Sequence, residues 1–415
     1  MYEVEEKAKR AFLTKVKLGE LNTEIKNSVL NLMAEALIKN KEKILEENKK
    51  DLVKGEEKGL SKSLLDRLLL NENRIFSMVQ GIKDVVSLPD PVGEIVEGTT
   101  RPNGLLIIKK RVPLGVIGMI YEARPNVTVD AITLCLKSGN AIILRGGSEA
   151  FNSNLILYKI LSEVAYKNGI PNGAIQMIEN TDRKEVEIMF NLIDYIDVII
   201  PRGSKTFIDF VKRNSRVPVI ETGAGVVHIY IDKDFDLEMA KKIVVNAKVQ
   251  KPSVCNAVEK LLFHKDVSKE AIIEILDELR KNNVEIIGDK FIYSIYKESK
   301  LATEEDWDTE YLDLKITVGI VEDIDEAIEH INKHSTHHSE TIISRNYENI
   351  IKFLNLVDSA CVYANASTRF SDGGEFGLGA EIGISTQKLH TRGPMGLREL
   401  TSIKYIIFGS GQIRK

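Results

Sequence analysis

The cysteine in Val249-Gln250-Lys251-Pro252-Ser253-Val254-Cys255-Asn256-Ala257 lies in a polar turn between a helical pattern and an apolar strand. Cysteine attacks as its thiolate, a form favoured where the sulfur is partly exposed and positive charge stands near. Ser253 and Asn256 flank Cys255, and Lys248 and Lys251 are close in sequence. The two other cysteines lie in apolar runs, Ala131-Ile132-Thr133-Leu134-Cys135-Leu136 and Ala360-Cys361-Val362-Tyr363, the usual setting of a core thiol. A small hydrophobe at the edge of a core is the alternative for Cys255, and these residues alone leave both open.

Anion binding is the second chemistry that the residue types support. Four polar or glycine-rich turns follow apolar runs: Tyr121-Glu122-Ala123-Arg124-Pro125-Asn126, Arg145-Gly146-Gly147-Ser148, Pro201-Arg202-Gly203-Ser204 and Glu221-Thr222-Gly223-Ala224-Gly225. Glycine lets a phosphate approach the backbone, and a helix starting there offers unsatisfied N–H groups. A nucleotide or dinucleotide is expected, held in a non-standard way because no G-x-G-x-x-G follows these runs; tight strand-to-helix turns are the alternative. His334, His337 and His338 have no Cys or carboxylate cluster at ligand spacing, so they are expected to be polar loop groups and no metal is predicted. From Asn365 to Gly396 a glycine-rich stretch carries Arg369, Lys388, His390 and Arg392 without clear periodicity, as functional loops often do.

The elements that must position these groups follow from periodicity. Apolar residues at helical spacing predict a helix over Thr23–Lys50 and further helices over Ser61–Leu70 and Glu72–Val86, stopped by Pro89 and Pro91. Between Glu94 and Arg111, two strand-like runs flank Arg101-Pro102-Asn103-Gly104, which predicts a β-hairpin suited to an oligomer contact. Strands are then expected at Val116–Ile120, Ala141–Leu144, Ala174–Ile178, Ile196–Ile200 and Val217–Ile220. A second series follows at Val258–Phe263, Val284–Ile287, Lys315–Val321, Glu340–Ile343 and Cys361–Ala364, with helices between. Short apolar strands alternating with helices indicate parallel sheets covered on both faces. The predicted division is a cofactor domain over 1–230, with the hairpin at 94–111, a cysteine domain over 231–364, and a C-terminal segment over 365–415 returning to the cleft and to an oligomer contact. Cys255 would open onto the cleft between the domains, a common place for ligands.

Composition limits the partners. The 415 residues are 43% apolar and 28% charged with a formal net charge of −4, as in an ordinary globular protein and unlike a general binder of nucleic acid or anionic membrane. The acidic start Met1-Tyr2-Glu3-Val4-Glu5-Glu6 does not read as a secretory signal, and no apolar run approaches the length of a membrane span, so a cytoplasmic location is expected. Three scattered cysteines do not make a disulfide framework.

The chain resembles the gamma-glutamyl phosphate reductases, a branch of the aldehyde dehydrogenase superfamily. The similarity is carried by Tyr121-Glu122-Ala123-Arg124-Pro125-Asn126-Val127-Thr128, Leu144-Arg145-Gly146-Gly147-Ser148-Glu149-Ala150, Val217-Pro218-Val219-Ile220-Glu221-Thr222-Gly223, Pro252-Ser253-Val254-Cys255-Asn256-Ala257, Asn365-Ala366-Ser367-Thr368-Arg369-Phe370 and Gly379-Ala380-Glu381-Ile382-Gly383-Ile384-Ser385-Thr386.

The resemblance implies an α/β, aldehyde dehydrogenase-like fold with two parallel-sheet domains and a small bridging hairpin. It implies reduction of L-glutamyl 5-phosphate to glutamate 5-semialdehyde with NADP(H), in proline biosynthesis. Cys255 then matches the nucleophile, Asn126 the oxyanion amide and Glu221 the superfamily's catalytic glutamate, although a glutamate after a strand is as often structural. Arg145 falls where a basic residue faces the adenosine ribose, with Gly146, Gly147, Ser148, Arg202, Gly203 and Ser204 in the cofactor turns and Glu310 at the nicotinamide ribose. Arg124, Arg369, Lys388 and Arg392 are candidates for the substrate's phosphate and α-carboxylate. A homo-oligomer and a partnership with glutamate 5-kinase are also expected. Ser204 departs from a frequent glycine, and Val226 and Val227 stand where relatives carry Asn or Cys. An aldehyde dehydrogenase acting on another acyl donor and a catalytically silent oligomeric binding protein are the rivals.

Overall fold

Every residue of the run Val116–Tyr121 is buried, as expected of a strand covered on both faces. In the computed structural model, which describes residues 2–414, this strand lies inside a four-stranded sheet. The order is Ile175–Met177, Ala141–Gly146, Val116–Tyr121, Val198–Arg202, all parallel. The expected strand at Val217–Ile220 contributes only a parallel bridge between Val219 and Ile199. Pro218 has no N–H to donate, so the bond that would extend this bridge toward Val217 is missing.

Helices cover this sheet. Glu3–Gly19, which the periodicity reading did not anticipate, packs on the strands Ala141–Gly146 and Ile175–Met177. The single helix expected over Thr23–Lys50 is two, Thr23–Lys39 and Lys41–Glu57. They part at Asn40, whose side-chain amide donates to the Ala36 carbonyl at 2.8 Å; such local bonding competes with helix continuation.

The hairpin forms as expected between Ile95–Thr100 and Leu106–Pro113, with Gly104 at φ +87°, a conformation few other residues adopt without strain. A third strand from the end of the chain, Thr401–Phe408, pairs antiparallel with Leu106–Pro113 and leaves Tyr405, Ile407 and Phe408 exposed.

The chain divides into two compact units. One holds the residues up to Thr222, Gly377–Gly383 and the chain from Met395 onward; the other holds Gly223–Phe376 and Ile384–Pro394. The second unit has a seven-stranded sheet in the order Lys300–Leu301, Glu285–Gly288, Lys315–Val321, Val258–His264, Val227–Ile231, Ser339–Ile343, Cys361–Ala364. All of its pairings are parallel. Val227–Ile231, absent from the expected strands, lies inside this sheet and is buried throughout. Among the described residues no helix is long and apolar enough to cross a membrane.

Candidate active site

Cys255 sits half-buried in the turn between the helix Leu237–Val249 and the strand Val258–His264, whereas Cys135 and Cys361 are buried. Burial pushes the Cys135 thiol far above its usual range. The turn is held from several sides. Ala257 N–H donates to the Val254 carbonyl at 3.1 Å, and Thr368 Oγ1 donates to the Asn256 carbonyl at 2.7 Å. Asn256 Nδ2 donates to the Ser371 carbonyl at 2.8 Å, and Arg369 Nε to Gln250 Oε1 at 3.0 Å. Arg369 Nη1 also donates to Asn256 Oδ1. Arg369, expected to hold substrate, thus clamps the residues on either side of Cys255.

Lys248 takes a different place from the one its sequence position suggested. It is fully buried and paired with Glu259, equally buried, at 2.9 Å. Burial lowers the Lys248 pKa and raises that of Glu259, each opposed by its partner. The Lys248 charge is therefore balanced locally by Glu259.

The Gly223–Val226 loop lies against the same turn. A Cβ on Gly225 would stand 1.5 Å from the Cys255 carbonyl oxygen, and one on Gly223 would stand 2.3 Å from Thr386 Cγ2. These glycines, read from the sequence as a candidate phosphate turn, permit close packing around the cysteine. Gly225 N–H donates to Glu310 Oε1 at 2.7 Å, and Val226 N–H to Thr336 Oγ1 at 3.0 Å. Glu310, expected at a nicotinamide ribose, here fixes the loop behind Cys255. Replacement of Gly225 by Ala should displace the Cys255 carbonyl, since the new Cβ would collide with a backbone atom that no side-chain rotation can move aside. A stability loss of about 1–3 kcal/mol, typical of overpacking, and slower alkylation of Cys255 are expected. Unchanged alkylation kinetics in Gly225→Ala would show that this packing does not shape the thiol's surroundings.

The first unit carries Asn126, Glu221 and the glycine turns. Asn126 opens the helix Asn126–Lys137, is exposed, and donates through Nδ2 to Asp130 Oδ2 at 3.1 Å. Glu221 Oε2 pairs with Lys212 Nζ at 2.8 Å. At the turn before the helix Lys205–Asn214, Ser204 Oγ accepts from Phe207 N–H while Ser204 N–H donates to Glu122 Oε2 at 3.0 Å. Burial, with help from Glu149, raises the Glu122 pKa against the pull of that N–H, Arg67 and Arg124. A Cβ on Gly203 would meet the Glu122 carboxylate carbon at 2.7 Å, and one on Gly147 would meet Glu149 Oε2 at 2.5 Å. Arg145 donates to the carbonyls of Gly146 at 2.7 Å and Thr181 at 2.8 Å, with Arg183 adding positive charge nearby. Ser148 Oγ donates to Glu149 Oε1 at 3.3 Å. Arg202 directs its Nη1 toward Gly383 and acts on Asp130.

Lys388 and Arg392, two expected substrate cations, share Asp358: Lys388 Nζ lies 2.6 Å from Oδ2 and Arg392 Nη2 2.8 Å from Oδ1. They hold the Asp358 carboxyl down at about 2. His334 bonds Asp308 at 2.8 Å and His338 bonds Ser339 at 2.8 Å; among the described residues no group of His, Cys, Asp or Glu could hold a metal ion.

The sequence reading missed Glu122, Asp130, Glu149, Thr336 and Asp358. Only Asp130 had a usable signal, its i+4 spacing from Asn126 on one helix.

The sequence pattern of the aldehyde dehydrogenase family matches residues 6–291. A gamma-glutamyl phosphate reductase of Caldanaerobacter subterraneus subsp. tengcongensis is 60% identical over 413 residues, covering 100% of both chains. The chain belongs to the gamma-glutamyl phosphate reductases of the aldehyde dehydrogenase family. Another relative of the same name, from Dictyoglomus thermophilum, is 59% identical over 99% of both chains. The crystal structure of the gamma-glutamyl phosphate reductase from Thermotoga maritima superposes with a TM-score of 0.95 at 48% identity, covering 100% of both chains.

As a gamma-glutamyl phosphate reductase the protein is an oxidoreductase, and aldehyde dehydrogenases take NAD or NADP. The first unit's turns fit such an anionic group. Ser204 N–H already holds a carboxylate, and Arg145 lies with Arg183 beside the Gly146-Gly147 turn. A helix N-terminus and an arginine are the groups that bind phosphate oxygens well.

Proposed function

We propose that this chain reduces L-glutamyl 5-phosphate to L-glutamate 5-semialdehyde with release of phosphate, in proline biosynthesis, using NADPH and Cys255 as nucleophile. The observation that carries this reading is Cys255 itself, a half-buried thiol in a turn braced by Arg369, Thr368 and Gly225, in a chain 60% identical over its full length to a gamma-glutamyl phosphate reductase.

The Cys255 thiolate attacks the acyl carbonyl; a C–S bond forms, and the C–O bond to phosphate breaks with its electron pair leaving on phosphate. The resulting thioester is neutral at the reacting carbonyl and so accepts hydride, which NADPH supplies when bound. The oxyanion formed at that carbon is stabilised by the Asn126 amide and the Cys255 backbone N–H. Its collapse breaks the C–S bond, frees the aldehyde and restores the thiolate. Glu221 is the candidate for moving protons around the thiol, in competition with its bond to Lys212. Arg124 is a candidate cation for the substrate's phosphate and α-carboxylate, as are Arg369, in competition with its bonds to Gln250 and Asn256, and Lys388 and Arg392, in competition with their shared pairing to Asp358.

Arg145, Gly146, Gly147, Ser148, Arg202, Gly203 and Ser204 would hold the cofactor, with Glu310 a candidate for its ribose in competition with its bond to Gly225 N–H, and the charge of Arg145 and Arg183 favours the extra phosphate of NADP(H) over NAD(H). The exposed Tyr405, Ile407 and Phe408 on the outer strand of the antiparallel sheet suit a homo-oligomer contact. Glutamate 5-kinase as a partner follows from the lability of an acyl phosphate in water, and the expected location is the cytoplasm.

The test is oxidation of glutamate semialdehyde. NADP⁺ reduction should require inorganic phosphate, because the acyl group must leave the thioester as an acyl phosphate, and should be faster than NAD⁺ reduction. Full-rate formation of free glutamate without phosphate would replace this reading with that of a hydrolytic dehydrogenase.

A further inference from the structure

Asp130 follows Asn126 by one turn on the helix Asn126–Lys137, so the two side chains share a face. Asn126 Nδ2 donates to Asp130 Oδ2 at 3.1 Å. An amide offers two N–H donors on one end and a carbonyl acceptor on the other. An ionised carboxylate accepts only from the N–H end. Bonding to Asp130 therefore fixes which way the amide faces and leaves its second N–H for another acceptor.

We propose that Asp130 is a positioning residue for the reduction, orienting the Asn126 amide so that its remaining N–H is left for the oxyanion formed during turnover. This rests on the reading of Asn126 as the oxyanion donor. The groups that face Asp130 are Asn126 on its own helix, Arg202 at the end of the strand Val198–Arg202, and Glu381. Burial pushes the Asp130 carboxyl up to about 7, with Glu381 reinforcing it and Asn126 and Arg202 opposing. As pH falls through that value the carboxylate gains a proton, and the O–H can donate to the amide carbonyl instead. The amide can then turn its carbonyl toward Asp130, so the oxyanion donor is weakened at low pH and restored at high pH.

The experiment is a double-mutant cycle of Asn126→Ala and Asp130→Asn, with kcat followed from pH 6 to about 9 on the full-length protein. Dividing wild-type rates by Asp130→Asn rates cancels the titration of the thiol itself. That ratio should be about tenfold at high pH, the size of one well-made hydrogen bond, and fall toward unity below the Asp130 titration. Cofactor affinity and Cys255 alkylation, read on the same variants, should stay at wild-type values, which excludes general unfolding as the cause. The double variant should be no slower than Asn126→Ala, because Asp130 acts through the amide. Losses that multiply in the double variant, or a pH-independent ratio, would overturn the role of Asp130 while leaving Asn126 in place. A silent Asn126→Ala would instead remove the oxyanion reading and this proposal with it.

Discussion

Cys255→Ser is expected to abolish turnover while leaving cofactor binding intact. Serine is close to cysteine in size, so the bonds that brace the turn, from Thr368 and Arg369 to Asn256 and Gln250, should survive the exchange. What is lost is chemical: an unactivated hydroxyl is a far poorer nucleophile than a thiolate, and no thioester forms. The proposed cofactor turns belong to the first unit and Cys255 to the second, so NADPH titration followed by fluorescence should give a wild-type dissociation constant. Rapid mixing with acyl phosphate should give no burst of phosphate. Residual activity above about one per cent, far more than loss of a covalent nucleophile leaves, would show that the nucleophile lies elsewhere.

Asn126→Ala should lower kcat by about 100- to 1,000-fold, or roughly 2.7–4 kcal/mol, the usual loss for one oxyanion donor. Cys255 should remain alkylatable at the wild-type rate, since Asn126 bonds its own helix neighbour Asp130 while Thr368 and Arg369 supply the bonds that brace the cysteine turn. Stopped-flow measurement separates the two variants. In Asn126→Ala, phosphate release and NADPH oxidation should both be slowed but present, because an oxyanion forms in acylation and again in hydride addition. A slowed hydride step with acylation untouched would confine the amide to the second of these.

The parallel-sheet architecture was legible because its signals are local. Apolar runs such as Val116–Tyr121 and Lys315–Val321 declare buried strands, and Asn103-Gly104 declares the hairpin turn whatever the rest of the chain does. The polar setting of Cys255 against the apolar settings of Cys135 and Cys361 was local in the same sense, and the half-buried and buried placements follow it. The family was legible because long motifs around these residues combine many such positions.

Partner choice was not legible, because a charge or a glycine does not state what will pack on it. Lys248 looked like a neighbour that would activate the thiol; the fold turns it to Glu259 on the following strand, where each buried charge requires the other. Lys388 and Arg392 looked like free anion binders until the chain brought Asp358 between them. Gly225 looked like a phosphate turn, but its missing side chain makes room for the Cys255 carbonyl. The strand Thr401–Phe408 gains its place only by pairing with Leu106–Pro113, about 300 residues earlier. Residue types and their periodicity were enough to mark the groups able to do chemistry and the class of fold that would carry them. Which charges are neutralised and which glycines serve packing came from the folded chain alone, because those outcomes depend on burial and on contacts between segments far apart in sequence.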